Sequence, residues 1–261
     1  MSNAIMQFYD QLAGDYHRIF ADWKQSVHRQ AKVLGKFIAA HKGDPPLTIL
    51  DCTCGIGTQA IGLALAGYTV YGTDLSPEAI ERARREAVNF GVEASFDVAD
   101  LLQLESQVSG TYDVVLSCDN ALAHFLTDQE LLRAVENMTS KLRPDGLLVA
   151  SIRDYDAILQ EKPRTMLPQV SEADESRAIS FQVWDWQSNG HTYTLNHFIV
   201  KQAGDGWETV CNVTQLRAWR RAEIQLMLAR AGLSDIVWTM PADSGYYQPI
   251  VTARKSGSDQ A

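Results

Sequence analysis

The chain has 261 residues, of which 46% are hydrophobic, and a formal net charge of −9; this is enough apolar sequence for one large core with an elaboration. No apolar run approaches the roughly 20 residues of a membrane helix, and the start lacks the basic and then apolar segments of a secretion signal. The acidic balance disfavours a nucleic-acid partner, because a surface that binds polyanions needs basic clusters.

Four cysteines carry no pattern for metal or redox chemistry. Cys52 and Cys54 are too close in sequence for a structural disulfide, and no CxxC pair is present for zinc. We therefore expect no metal site, and small buried cysteines at strand ends instead. Unpaired cysteines fit a reducing compartment, so we expect a cytoplasmic protein without a membrane partner.

The N-terminal segment predicts two helices. Residues 5–23 place apolar and aromatic side chains three and four positions apart, which is the pattern of one amphipathic helix. Tyr9, Tyr16 and Trp23 on this face carry polar tips, which suit a pocket wall better than a dry core. A second helix is expected over about 26–41.

Residues 47–58 organise the rest of the chain. An apolar run ends at Asp51, and a turn of small residues with Gly55 and Gly57 precedes an apolar helix. A strand, tight turn and helix start let a backbone approach a ligand closely. A carboxylate before the glycines suits a ligand that offers hydroxyl or amine groups. Neither phosphate-binding motif, GxGxxG or GxxxxGK[ST], is present. The pattern also fits an ordinary strand–helix turn of another doubly wound protein.

Strands and helices alternate through the middle of the chain. Strands are predicted at 47–51, 69–73, 94–98, 112–117 and 147–152, and helices at about 57–66, 77–89 and 128–142. Such alternation predicts a mostly parallel, doubly wound α/β sheet with helices on both faces. Polar residues follow these strands at Asp74, Asp100, 118–120 and Arg153, and ligands bind at the carboxyl ends of parallel strands.

The pattern changes after residue 153. Residues 155–175 contain prolines and mixed charges, which predicts a loop or cover. Three strand-like runs follow, and Asn189-Gly190 between the first two is a strong hairpin signal. They predict an inserted antiparallel meander with strands at about 180–187, 191–202 and 207–219. A helix at 220–231 and strands at 235–239 and 247–253 complete the sheet.

These sequence patterns predict four structural units. They are N-terminal lid helices (1–43), a cofactor-binding α/β domain (44–154 and 220–254), an inserted substrate-side subdomain (155–219) and a disordered polar tail (255–261).

The order of these features resembles class I S-adenosylmethionine-dependent methyltransferases. The likeness rests on the 51–57 turn, Asp74, Asp100-Leu101, the strand end at 118–120 and the turn at 143–146, although Thr53 stands where the usual motif has its first glycine. Within that class the chain resembles glycine/sarcosine N-methyltransferases, through FYDQLAGDYHRIFADW, DCTCGIGTQAIGLA, CDNALAHF, SIRDYDAIL and YYQPIVTARK. The resemblance implies a seven-stranded Rossmann-like sheet.

The resemblance also implies how S-adenosylmethionine would be held. Asp74 would receive the ribose hydroxyls, Asp100 the adenine amine, and Arg29 the carboxylate, which a guanidinium suits. The amino group would meet backbone carbonyls of a loop ordered by Asp51. The remaining implied cofactor residues are Tyr9, Tyr16, Trp23, Thr53, Gly55, Gly57, Leu75, Leu101, Cys118 and Asp119. Arg29 also fits an ordinary surface charge on a helix.

On the acceptor side, the resemblance makes Arg153 the anchor of a substrate carboxylate. Asn120 and His124 match positions beside methyl transfer, and Tyr9 and Tyr16 match an aromatic lid. The implied catalytic residues are Tyr16, Asn120 and His124, and the implied substrate residues are Tyr9, Asn120, Arg153 and His197. His124 also fits a helix cap or core position, and His197 stands where a relative has tyrosine.

The predicted reaction is an in-line displacement by an amine nitrogen, with S-adenosylhomocysteine as the product. It needs positioning and exclusion of water more than a strong base, and water, Tyr16 or His124 could take the amine proton. Glycine or sarcosine is the first acceptor hypothesis, and another small metabolite is the alternative. A non-catalytic S-adenosylmethionine-binding protein is the rival of another class. The protein would act as a monomer or homo-oligomer.

Overall fold

The computed structural model describes residues 2–173 and 176–257, which form two β-sheets and the helices around them. The strands, in chain order, are β1 (Thr48–Asp51), β2 (Thr69–Asp74), β3 (Ser95–Val98), β4 (Tyr112–Ser117), β5 (Leu142–Ser151), β6 (Thr165–Ala173), β7 (Ser176–Trp186), β8 (Thr192–Ala203), β9 (Gly206–Arg217), β10 (Leu233–Thr239) and β11 (Ile250–Lys255). The helices are α1 (Ser2–Ala13), α2 (Trp23–Lys42), α3 (Thr58–Leu65), α4 (Pro77–Phe90), α5 (Leu104–Gln107), α6 (Asp128–Ser140), α7 (Tyr155–Glu161), α8 (Arg221–Arg230) and α9 (Pro241–Ser244). None of the helices in these ranges is long and apolar enough to cross a lipid bilayer.

The larger sheet has seven strands in the order β10-β11-β5-β4-β1-β2-β3. Strand β11 runs antiparallel to both of its neighbours, and every other pair is parallel. Ile49 and Leu50 are fully buried on opposite faces of β1, because helices cover both sides of the sheet. The prediction of a doubly wound, mostly parallel sheet is confirmed.

Local sequence signals fix the helix starts around this sheet. Ser76 caps α4 by accepting a hydrogen bond from the Ala79 amide at 3.0 Å, and Pro77 occupies its first turn. Helix α6 begins with a capping box in which Thr127 and Glu130 satisfy each other's backbone amides.

The predicted single helix over 5–23 is wrong. Helix α1 ends at Ala13, a 3₁₀ helix spans Tyr16–Ile19, and α2 begins at Trp23. Gly14 is a poor helix former, and Asp15 forms a 2.7 Å ion pair with Lys201 on β8 that draws the turn toward the second sheet.

The predicted loop at 155–175 is also wrong. It contains α7, capped by Asp154, and strand β6, which pairs antiparallel with β7 and shifts register between Met166 and Gln169. Pro168 lies in that irregular stretch. Because β6 is an edge strand, its proline removes no needed ladder bond. The inserted unit is therefore a four-stranded sheet in the order β6-β7-β8-β9.

The structure corrects three smaller predictions. The turn at 143–146 lies within β5, with Asp145 at a φ of 58°. Lys255, assigned to the tail, ends β11 opposite Leu233, while residues 258–261 of that tail lie outside the described residues. Cys52, Cys54 and Cys118 are buried, but Cys211 is exposed because it points outward from β9.

Candidate active site

A first cavity lies over the carboxyl ends of β1 and β2. It holds about 650 Å³ of space not filled by atoms, counting the part that is open to solvent. Predicted residues that line it are Tyr9, Thr53, Asp74, Leu75, Asp100, Leu101 and His124. Helix α1 closes one side through Ile5 and Tyr9. The structure thus brings Asp74 and Asp100, which lie at the carboxyl ends of the neighbouring strands β2 and β3, into the wall of one cavity.

Asp74 joins the end of β2 to the glycine turn. Its Oδ2 accepts a 2.8 Å hydrogen bond from the Gly55 amide, and its Oδ1 accepts a 3.0 Å bond from the Ser76 amide. Gly57 has a φ of 92°, and a Cβ there would meet Ile61 Cδ1 at 2.8 Å, so a side chain would be both strained and crowded. Burial raises the pKa of Asp74, while the backbone amides oppose that rise.

Asp51 is the least satisfied acid of the site. Its side chain is buried, Oδ1 accepts a long 3.4 Å bond from the Thr53 amide, and Oδ2 has no hydrogen-bond partner among the described residues. Burial raises the pKa of Asp51 to about 8. A buried acceptor without a donor calls for an explanation, and a cationic group placed beside Asp51 would satisfy it.

Asp100 begins the short 3₁₀ helix Leu101–Gln103, and its Oδ1 accepts a 2.9 Å hydrogen bond from the Leu102 amide. This capping fixes the carboxylate at the cavity edge, next to the buried Leu101.

A second cavity, of about 450 Å³ when the part open to solvent is counted, adjoins the first, and Tyr9 and His124 line both. It gathers all six residues that the sequence analysis placed on the catalytic or substrate side: Tyr9, Tyr16, Asn120, His124, Arg153 and His197. Asn120 and Arg153 come from the carboxyl ends of β4 and β5, and His197 comes from β8 of the inserted sheet. The cavity is therefore built between the two sheets.

The Arg153 guanidinium is held on three sides. It donates 3.0 Å hydrogen bonds to the Tyr193 hydroxyl and to Gln182 Oε1, and it lies 4.9 Å from the ring centre of Trp184. Its backbone amide donates to Asn120 Oδ1 at 3.2 Å. A guanidinium oriented in this way presents a fixed positive charge to the cavity.

Both histidines of the cavity are neutral at neutral pH. Burial, with a smaller effect of the Arg153 charge, lowers the pKa of His124 to about 4, and the same causes lower the pKa of His197 to about 4. His124 Nε2 lies 2.8 Å from the Tyr9 hydroxyl, and Nδ1 has no partner among the described residues. Neither imidazole adds positive charge to that of Arg153.

An outer cleft leads from the second cavity to solvent and includes Arg29, Tyr16 and Arg153 in its walls. Arg29 is exposed on α2, and its Nη2 lies 3.4 Å from Ser26 Oγ. Met166 and Leu167 of β6 give one side of the cleft an apolar surface.

Not every predicted residue reaches these spaces. Trp23 lies among α2, α3 and α4, where its Nε1 donates to Thr58 at 2.9 Å and its ring packs edge-on against Phe90. The indole N–H of Trp23 therefore bonds a neighbouring helix, and the side chain lines neither cavity. The other predicted residues that line neither cavity nor the outer cleft are Asp51, Gly55, Gly57 and Cys118.

Sequence reasoning missed Gln182, Tyr246 and Tyr247. Gln182 pairs with His197 across the β7–β8 hairpin; the two are equally distant from Asn189-Gly190, so the hairpin signal could have found it. The Tyr246 and Tyr247 hydroxyls both contact Asp119 Oδ1 from the segment before β11. No local pattern reveals that long-range contact.

Comparison with known proteins adds independent information. Residues 49–146 match the methyltransferase domain family. The chain is 32% identical over 170 residues to glycine N-methyltransferase of Mus musculus, which covers 60% of this chain and 58% of that protein. It is 26% identical over 155 residues to glycine/sarcosine N-methyltransferase of Parasynechococcus marenigrum, covering 58% and 55%. It is 34% identical over 125 residues to magnesium-protoporphyrin O-methyltransferase of Synechocystis, covering 47% of each.

Solved structures match over nearly the full chain. An S-adenosylmethionine-dependent methyltransferase from Clostridium acetobutylicum superposes with a TM-score of 0.72 at 16% identity, covering 96% of this chain and 99% of that one. An amino pentose methyltransferase from Micromonospora echinaspora gives 0.71 at 19% identity, covering 93% and 95%. The sequence matches span about half the length of the curated relatives. Residues 49–146 thus match a methyltransferase domain, and the strand order and the structural likenesses show that the chain has the fold of S-adenosylmethionine-dependent methyltransferases.

Proposed function

We propose that this protein transfers a methyl group from S-adenosylmethionine to the amine nitrogen of a small amino acid, with glycine or sarcosine as the first candidates. The observation that carries the proposal is the position of Arg153 in a small cavity that shares Tyr9 and His124 with the first cavity. A guanidinium is well suited to hold a substrate carboxylate. The sequence similarity to glycine and glycine/sarcosine N-methyltransferases supports the same acceptor class.

The residues of the first cavity fit S-adenosylmethionine. Asp74 is suited to ribose hydroxyls, and the unpartnered Oδ2 of the buried Asp51, which immediately precedes the lining residues Cys52 and Thr53 in the chain, is suited to an ammonium group. Asp100 and Leu101 would face the adenine, and Arg29 in the outer cleft would meet the carboxylate. When bound, the cofactor supplies an electrophilic methyl group on a sulfonium.

The protein's part in the reaction is to position the amine and exclude water. Arg153 would fix the acceptor carboxylate, so that the amine points toward the wall shared with the first cavity. Tyr16 stays protonated, because burial raises its pKa well above the ordinary value. His124 is neutral, with its Nε2 engaged by Tyr9, so neither residue is a strong base.

A larger acceptor is the second candidate. The outer cleft is open, and Met166 and Leu167 give it an apolar side that glycine would not need. This second candidate includes acceptors that are methylated on oxygen, because the chain is also similar to a magnesium-protoporphyrin O-methyltransferase.

The test is a mass-spectrometric assay with S-adenosylmethionine and, separately, glycine, sarcosine and dimethylglycine. We expect methylated product and equimolar S-adenosylhomocysteine from glycine or sarcosine. Arg153→Gln should abolish turnover, while Arg164→Gln, which removes the same charge from an exposed side chain, should not.

Absence of product from all three amines, with S-adenosylhomocysteine still bound, would reject the amino-acid acceptor. A panel of larger amines and carboxylic acids would then test the second candidate.

A further inference from the structure

Asp119 brings a negative charge into the same cavity as Arg153. It lies two residues after the end of β4. Its backbone amide donates a hydrogen bond to Ser151 Oγ at 2.9 Å, and its backbone φ is 59°. Asp119 and Arg153 line both the second cavity and the outer cleft. They come from the carboxyl ends of adjacent parallel strands, β4 and β5, so they face the same space.

Two phenols hold the Asp119 carboxylate. The Tyr246 hydroxyl donates to Oδ1 at 2.9 Å, and the Tyr247 hydroxyl contacts the same oxygen. Hydrogen bonds to the charged form favour an ionised carboxylate, whereas burial opposes it. Burial raises the pKa of Asp119, and hydrogen bonds from the side chains of Tyr247, Gln59 and Tyr246 lower it in part. The group is thus an anion that accepts a proton more readily than an exposed aspartate.

The two charges do not satisfy each other. Arg153 directs its hydrogen bonds to Tyr193 and Gln182, while Asp119 is bonded by the two tyrosines, and within the described residues no ion pair joins them. With His124 and His197 neutral, the second cavity presents one fixed cation and one fixed anion at separate points of its wall. Such a surface is complementary to a ligand that carries both charges.

We propose that the second cavity is a zwitterion site, in which Arg153 holds the carboxylate of the acceptor while Asp119 holds its ammonium group and takes one proton from it. This inference rests on the proposed function and names its substrate class and its base. The proton moves from nitrogen to an Asp119 oxygen, and the freed lone pair then forms the N–CH₃ bond as the S–CH₃ bond breaks. The sulfonium becomes a neutral thioether, and the nitrogen becomes a methylated ammonium.

The groups around Asp119 define its titration. The titratable and charged groups that face it are the phenols of Tyr9, Tyr16, Tyr246 and Tyr247, the thiol of Cys118, the carboxyl of Asp51, the imidazoles of His124 and His197 and the guanidinium of Arg153. Burial raises the pKa of each of these phenols and of the thiol. Below neutral pH, the acceptor-side groups that can change charge are therefore Asp119 and the two histidines, whose pKa is lowered to about 4, and a substitution of Asp119 separates its titration from theirs.

The first test is calorimetric and needs no turnover. With S-adenosylhomocysteine bound, glycine and sarcosine should bind the wild-type protein at least about tenfold more tightly than acetate, which carries only the carboxylate. Asp119→Asn should reduce this ratio to about one. The control Asp145→Asn removes the same charge from an exposed position whose positive φ suits asparagine, and it should keep the wild-type ratio.

Equal binding of acetate and glycine by the wild-type protein would overturn the proposal, and so would an unchanged ratio in Asp119→Asn. Weaker S-adenosylhomocysteine binding in Asp119→Asn with an intact ratio would also overturn it, because the carboxylate would then serve the cofactor. If the ratio behaves as expected but neither amine is methylated, the zwitterion site holds and the proposed function fails.

A second variant tests the proton transfer. Tyr247 is half exposed, so Tyr247→Phe should fold, and loss of one donor should raise the Asp119 pKa. The acidic limb of the kcat/KM profile should move to higher pH in Tyr247→Phe. In Asp119→Asn that limb should be lost, and the rate should rise with pH as free amine becomes available. Unshifted limbs in both variants would exclude Asp119 as the base.

Discussion

Arg153 shows how much of a site can depend on the shape of one side chain. Its planar guanidinium bonds Tyr193 and Gln182 at the same time and stacks on Trp184. A lysine at this position would keep the charge but would not reproduce that two-bond grip or the stacking. Charge alone, which the sequence displays, is therefore a poor description of this residue.

Arg153→Lys should lower kcat/KM for the acceptor by about one to two orders of magnitude, because each lost hydrogen bond to a charged group is worth about 1.5–3 kcal/mol. Steady-state kinetics with varied acceptor would measure it. Arg164→Lys is the matched control, since the Arg164 side chain is 81% exposed. Unchanged kinetics in Arg153→Lys would remove this residue from the acceptor site.

Asp51 predicts a pH dependence of stability. Its pKa is about 8 in the folded protein because of burial, against about 3.9 when unfolded, so between these values the folded state holds the proton more often. The free energy of unfolding should therefore fall as pH rises from about 4 to about 8. Asp51→Asn should lack this contribution and gain stability relative to the wild type at the upper end.

Denaturant unfolding of both proteins at several pH values, without ligand, would measure the difference. A difference independent of pH would contradict the assignment. The same substitution should weaken S-adenosylhomocysteine binding, because an amide cannot supply the negative charge that suits the ammonium group of the ligand.

At the scale of elements, the contact between α2 and α3 depends on a glycine. A Cβ at Gly62 would lie 2.7 Å from both Ala31 Cβ and the Val27 carbonyl oxygen of α2. The two helices can approach this closely only because α3 has no side chain there. Helix α3 starts from the glycine turn, so this contact also supports the first cavity.

Gly62→Ala should lower the free energy of unfolding by about 1–3 kcal/mol, the usual range for overpacking. Gly35→Ala in α2 is the matched control, because its Cβ would meet Tyr68 only at 3.9 Å. It should raise stability by about 0.5–1 kcal/mol through better helix propensity. Denaturant unfolding should therefore show changes of opposite sign in the free energy of unfolding of the two variants. Changes of the same sign would show that α2 and α3 can shift to accommodate the added methyl group.

Elements with a strong local signal were predicted well, and those fixed by distant partners were not. The glycine turn and the Asn189-Gly190 hairpin each depend on a few neighbouring residues, so the sequence displays them. Strand β6 was missed, because its pairing with β7 overrides a proline-containing sequence. The break after α1 depends in part on Lys201, which is remote in the chain.

At the scale of the whole molecule, the cavities lie between units whose residues are far apart in the sequence. Helix α1 contributes Tyr9, the large sheet contributes Asn120 and Arg153, and the four-stranded sheet contributes Gln182 and His197. Asp10 of α1 also accepts a 2.5 Å hydrogen bond from the Ser76 hydroxyl at the start of α4. A ligand in these spaces contacts all three units and should stabilise the folded molecule as one.

S-adenosylhomocysteine at about 100 times its Kd should raise the free energy of unfolding by about 2.7 kcal/mol, by linkage between binding and folding. NAD at the same concentration should give no increase, since the chain lacks the glycine motif that binds a pyrophosphate. Thermal or denaturant unfolding with each nucleotide would measure this. Stabilisation by NAD, with none by S-adenosylhomocysteine, would contradict the cofactor assignment.

The sequence by itself determined the alternation of strands and helices, the acids at the strand ends and the arginine after β5. These are local or periodic features, and parallel strands bring their carboxyl ends to one edge whatever the details of packing. Only the tertiary structure decided that Trp23 packs in the core, that Gln182 reaches Arg153, and that Tyr246 and Tyr247 support Asp119. Those contacts join residues far apart in the chain, and side-chain burial and partner geometry exist only once the two sheets and the N-terminal helices have closed around the cavities.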